Sequence, residues 1–129
     1  MGGSVVGELG MALSLKTLFF EIINTIQTIR NAPKYFASIG REIRTLDQIL
    51  EGIRNNSKSH PNPNSMRTLQ ICLENIMATC TEVKNLVDAV RWSRAAHLRG
   101  AWEKNNAVAL VEKLERNKSS LIMHRQEMM

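Results

Sequence analysis

The sequence predicts an all-α fold: four long helices in an antiparallel bundle. Three observations carry this. Apolar residues recur at helical spacing in four separate stretches. β-branched residues nowhere alternate with polar ones, so no strand pattern competes. Breaks at Asn31-Ala32-Pro33, at Pro61 and Pro63, and at Gly100 divide the chain into four. With 129 residues and a hydrophobic content of 43%, residues 1–129 make one domain with a real core.

In the first element, Leu15, Leu18, Phe19, Ile22, Ile26 and Ile29 fall on one helical face, and Thr17, Glu21, Asn24, Thr25 and Thr28 lie opposite. Its beginning breaks that pattern. Val5, Leu9 and Leu13 make an apolar stripe on a different side, and Gly3, Gly7, Gly10 and Ser14 make a strip of small residues. Small residues let another backbone approach closely, while each interior glycine costs about 1 kcal/mol relative to alanine. Two readings stay open for this tip: a disordered leader before a helix starting near Met11, or a segment, residues 1–20, that moves and packs elsewhere.

Pro33 ends the first helix and suits the first turn of the second. The second runs to about Arg54 with the stripe Phe36, Ile39, Ile43, Leu46, Leu50 and Ile53, antiparallel to the first because the connection is short. Residues 55–65 read as a polar loop, with Ser65 as N-cap of the third helix. The third stripe is Met66, Leu69, Cys72, Leu73, Ile76, Met77, Cys80, Val83, Val87 and Val90. The corner from Arg91 to Trp102 flanks two tryptophans with arginines and leaves room for a short extra helix near residues 91–101, with Gly100 as a turn. The last helix starts near Glu103. Ala107, Leu110, Val111, Leu114 and Leu121 share a face, with the aliphatic stem of Lys118 beside them.

The formal charge of +5 is uneven. Residues 1–32 sum to zero, Lys16 and Arg30 against Glu8 and Glu21. Residues 91–104 sum to +3, Arg91, Arg94, Arg99 and Lys104 against Glu103. Tryptophan beside arginine suits a bilayer interface, and equally a packed corner between helices. The basic residues do not line a helix that could enter a groove, and stacking aromatics are few, so no nucleic acid is expected. Cys72 and Cys80 lie eight apart in one helix, roughly 12 Å at 1.5 Å per residue, too far to bridge. Free buried thiols and a cytoplasmic location are the expectation. No secretory signal is expected, because Glu8 and Lys16 interrupt the apolar run. The Met1-Gly2-Gly3-Ser4 start is rejected for myristoylation because Val6 stands where Ser or Thr is wanted.

Catalytic chemistry is missing from the pattern. His60, His97 and His124 have no partner at ligand spacing, and Glu112 and Glu115 sit among Lys113, Arg116 and Lys118 as a solvated charge ladder. No enzyme, metal or cofactor is expected.

Three stretches together resemble a known family. They are the glycine-containing apolar start from Ser4 to Leu18, Asn31-Ala-Pro33 followed by Arg41-Glu-Ile-Arg-Thr-Leu-Asp-Gln-Ile-Leu50, and Leu114-Glu-Arg-Asn-Lys-Ser-Ser-Leu121. These are similar to the fungal HeLo-like N-terminal domains of NLR-like STAND proteins. The resemblance implies a programmed cell-death or innate-immune effector bundle that oligomerises and inserts an N-terminal segment in membrane. By position that segment is Gly3 to Phe20, in which Glu8 and Lys16 would have to line a pore rather than face lipid.

The candidate membrane or oligomer contacts are therefore Gly3, Val5, Val6, Gly7, Leu9, Gly10, Leu13 and Phe20. Candidate headgroup or partner contacts are Arg91, Trp92, Arg94, Arg99 and Trp102. Expected partners are a second copy, an anionic membrane reached by recruitment to the plasma membrane, and an NLR-type signalling protein. The competing expectation is a soluble adaptor module without membrane activity.

Overall fold

Each of the four stripes folds as a helix. The computed structural model describes residues 3–29, 34–57, 63–92 and 96–128, with side chains described at 10–29, 34–55, 67–91 and 105–126. Helix α1 is Gly3–Thr28, α2 Lys34–Ser57, α3 Pro63–Trp92 and α4 Ala96–Met128. Helix α1 closes with a tightened turn in which Ile29 N donates to Ile26 O at 3.2 Å. Arg54, Arg91 and Arg125 stand in the last turns of α2, α3 and α4, where a cation complements the helix dipole.

Four boundaries differ from the sequence expectation. Helix α1 starts at Gly3, not near Met11, because good helix formers downstream carry the glycines at about 1 kcal/mol each. Helix α2 runs past Arg54 to Ser57. Pro63 opens α3, so Ser65 lies inside the helix rather than capping it. Proline suits that first position because its missing N–H has no acceptor there anyway. Helix α4 starts at Ala96, so residues 96–101 are its first turns, not a separate short helix, and Gly100 lies inside it rather than at a turn.

The core is the sum of the stripes. All six α2 stripe residues, Phe36 to Ile53, are fully enclosed, joined by Ile49. From α1 come Leu15, Phe19 and Ile22, with Leu18, Ile26 and Ile29 half-buried against them. Helix α3 adds Leu73, Ile76, Cys80, Val83, Leu86, Val87 and Val90, and α4 adds Ala107, Leu110, Leu114 and Leu121. Each enclosed Leu, Ile or Phe is worth about 1.5–3 kcal/mol.

Consecutive helices run antiparallel, but they are not always neighbours. Helix α1 packs on α2 and α3, and α4 packs on α2 and α3. Among the described residues, no backbone approach joins α1 to α4 or α2 to α3. These pairs sit across the diagonals of the bundle. The register follows from bonds between helices. Lys16 pairs with Glu51, antiparallel for α1 and α2. Lys113 meets Glu82 at 2.9 Å and Asn117 meets Thr79 at 2.8 Å, antiparallel for α3 and α4. Glu42 meets Lys118, and Arg125 lies beside Gly52, so α2 and α4 run parallel. It follows that α1 and α3 are parallel too.

Candidate functional site: the outer face of α1 and its groove with α3

Helix α1 is the most apolar of the four helices. Its inner face is sealed in the core. Its outer face carries Leu13 at 57% exposure and Phe20 at 66%, two of the most exposed large apolar side chains described. They lie seven residues apart, two turns along one line of the helix. Gly10 is exposed on the same face, and a Cβ added there would meet no atom within 4 Å. Ser14 and Thr17 are exposed between them. The Thr17 hydroxyl donates to Leu13 O at 3.1 Å, leaving its methyl as the outward group. Thr25 and Thr28 bond back into the helix in the same way, to Glu21 O at 2.8 Å and Thr25 O at 2.7 Å. From Gly10 to Phe20 the only ionised side chain is Lys16, which is held by Glu51 on α2. Over that stretch the face is uncharged, with exposed Glu21 following Phe20 at its end, and the Thr17 hydroxyl is already satisfied within it.

Beside it, α1 and α3 form an open groove lined by Phe20, Glu21, Asn24, Thr25 and Thr28 on one wall and Lys84, Asp88 and Arg91 on the other. Lys84 Nζ donates to Asp88 Oδ2 at 2.8 Å, and this bond raises the Lys84 pKa above its usual value. Two acids and two bases make this groove electrically balanced rather than basic.

The sequence candidates divide accordingly. Gly10, Leu13 and Phe20 share one face, and Phe20 shares a groove with Arg91. Gly3, Val5, Val6, Gly7 and Leu9 lie in α1, Trp92 ends α3, and Arg99 and Trp102 lie in α4. The side chains of all eight fall outside those described, and Arg94 falls outside the described residues. Because α1 and α3 are parallel, the glycine-rich tip and the basic corner stand at opposite ends of the bundle. They are roughly 30 Å apart at 1.5 Å per residue, so they do not form one site.

Other polar contacts escaped the sequence reading. Lys113 and Lys118 pair across helices, with Glu82 and Glu42, rather than within a ladder on α4. Thr79 is buried and accepts from Asn117. His124 is buried in α4, in register three residues after Leu121, a spacing that could have flagged it. Lys84, Asp88 and Arg91 lie on one face of α3 at spacings of four and three, which was also legible; that α1 faces them was not. Both thiols are buried and free, and burial pushes the Cys80 pKa up to about 12. Among the described residues there is no cluster of metal-ligand side chains, and no helix is long and apolar enough to cross a membrane. No family model, no curated protein and no solved structure matches the chain.

Proposed function

We propose that the protein is a signalling effector bundle of the HeLo-like kind, which self-associates and perturbs membranes through α1. The observation that supports this is the uncharged outer face on which Leu13 and Phe20 are both more than half exposed. An apolar strip along one helix, with the Thr17 hydroxyl bonded internally, suits contact with the headgroup–acyl boundary. The bundle would lie on its side, α1 downward. With the groove beside it electrically balanced, apolar burial would dominate, and binding would depend only weakly on salt. The resemblance to cell-death effectors supports the same reading, with a cytoplasmic resting state, recruitment to the plasma membrane and an NLR-type protein upstream.

Co-sedimentation with liposomes, followed by dye-leakage measurements, tests it. The parent should pellet with vesicles and release dye, and a Leu13→Glu, Phe20→Glu variant should do neither while keeping its helical spectrum. Parent protein that stays in the supernatant at low salt would sink the membrane reading.

A second reading, a soluble adaptor, is favoured by the way Leu15, Phe19 and Ile22 lock α1 into the core. Extracting the helix would forfeit about 1.5–3 kcal/mol for each, a large share of the 5–15 kcal/mol that holds an ordinary domain together. In that case the outer face docks a partner helix and never meets lipid.

A further inference from the structure

Positive charge gathers on one side of α2. Lys34, Arg41 and Arg44 are all exposed, and at about 100° per residue they fall within roughly 80° of one another around the helix. Gly52 lies on the same side and admits a fourth cation from another helix. A Cβ built on Gly52 would sit 3.7 Å from Arg125 Cζ, so the exposed Arg125 guanidinium of α4 lies over the bare backbone of α2. At 1.5 Å per residue the strip from Lys34 to Gly52 is about 27 Å long, and it is one helix wide.

This charge is uncompensated. Among the described residues, none of these four cations has an acid at ion-pair distance, whereas Lys16, Arg54, Lys84, Lys113 and Lys118 each do. The acids of α2 do not cancel it. Glu42 is held by Lys118, and Glu51 by Lys16 and Arg54. Half-buried Asp47 lies roughly 100° around the helix from the middle of the strip. None of the large exposed apolar side chains described is on α2, so its outer face offers charge rather than apolar area.

We propose that this strip binds an acidic segment of a partner protein, laid lengthwise along α2 with carboxylates on Lys34, Arg41, Arg44 and Arg125. The sign of the partner follows from the uncompensated charge, and its shape from the single row. A DNA duplex presents phosphates in two rows across a groove about 12 Å wide, and a bilayer presents a plane. One row of cations matches a rod. The carboxylates of an acidic helix advance by the same rise per residue as α2 and keep register along it. Each guanidinium can hold a carboxylate through two parallel hydrogen bonds. A second copy is the wrong occupant, because the chain carries +5. The strip uses a different helix from the membrane reading and a different force, so the two stand or fall separately.

The probe is a fluorescein-labelled alanine peptide with glutamate at every third or fourth position, followed by anisotropy, with its glutamine counterpart as control. The parent should bind the glutamate peptide alone, and should lose about tenfold in affinity between roughly 20 and 150 mM salt. Arg41→Glu, Arg44→Glu should weaken binding by at least about tenfold. Arg67→Glu, Arg116→Glu makes the same change in net charge at exposed positions on α3 and α4 away from the strip, and should weaken it less than about twofold. Arg125→Gln should weaken binding by a smaller step, because the strip crosses Gly52. Unchanged thermal midpoints show that each variant is folded, and Arg41→Gln, Arg44→Gln replaces the reversal if it is not. A parent that ignores the glutamate peptide at low salt, or equal losses from the Arg67, Arg116 pair, would overturn the proposal. So would a duplex DNA or a phosphatidylserine vesicle that binds more tightly than the peptide and depends equally on Arg41 and Arg44.

Discussion

Lys118 Nζ lies 3.0 Å from Glu42 Oε2 and 3.3 Å from Oε1, bridging α4 to α2 where the two side chains keep only 27% and 18% of their exposure. It is a parallel contact between helices that are not consecutive, and it fixes their register. Partly desolvated ion pairs are hard to break from one side, because the survivor keeps its charge without its partner. Lys118→Met should cost about 1–2 kcal/mol in urea unfolding, between an exposed pair and a fully buried one. Adding Glu42→Leu should recover much of that loss.

Glycine makes the opposite prediction. Gly40 is buried in α2, yet a Cβ there would meet nothing within 4 Å. Gly40→Ala should therefore gain about 0.5–1 kcal/mol by lowering the entropy lost on folding. At Gly52 an added Cβ would meet Arg125 Cζ at 3.7 Å, ordinary contact, so Gly52→Ala should gain a similar amount. A drop in the denaturation midpoint for either would mean the helix packs more tightly there than described.

The two faces of α1 should respond oppositely to truncation. Ile22 is fully enclosed, so Ile22→Ala should cost about 2–5 kcal/mol. Phe20, two residues away, is mostly exposed, and Phe20→Ala should stay within about 0.5 kcal/mol of the parent. Equal losses in chemical denaturation would show that α1 is not oriented as described.

Cys80 gives the fold a pH limit. Its thiol ionises near 9.0 when unfolded, while burial pushes it up to about 12 in the folded chain. The raised folded value means the native state keeps a proton that the unfolded state releases. The contribution is complete below pH 9 and declines as pH rises from there toward 12. The difference in stability between parent and Cys80→Ala should shrink over that interval, as read by urea midpoints at pH 8 and 10. The same burial should leave Cys80 unreactive to iodoacetamide at pH 8 until the protein is unfolded.

Much of the fold was legible along the chain. Phe36, Ile39, Ile43, Leu46, Leu50 and Ile53 were read as one buried stripe from spacing alone, and all six are enclosed. Leu13 was read as lying off the main stripe, and it is exposed. Boundaries were harder. Pro63 and Gly100 read as breaks, yet proline opens a helix readily and one interior glycine costs too little to end one. The outer face of α1 was visible as an oddity of pattern, but its hydroxyls' internal bonds and its groove with Lys84 and Arg91 were not.

The sequence by itself determined four helices, which side of each turns inward, and that the two thiols stay apart. Periodicity and rise per residue are local properties, readable from neighbours on the chain. Only the tertiary structure decided that α2 and α3 sit diagonally, that α1 lies parallel to α3, and that the glycine-rich tip and the basic corner occupy opposite ends. Burial of apolar surface is non-directional. A stripe states that it must be covered, but which helix covers it depends on the shapes and charges of all four at once.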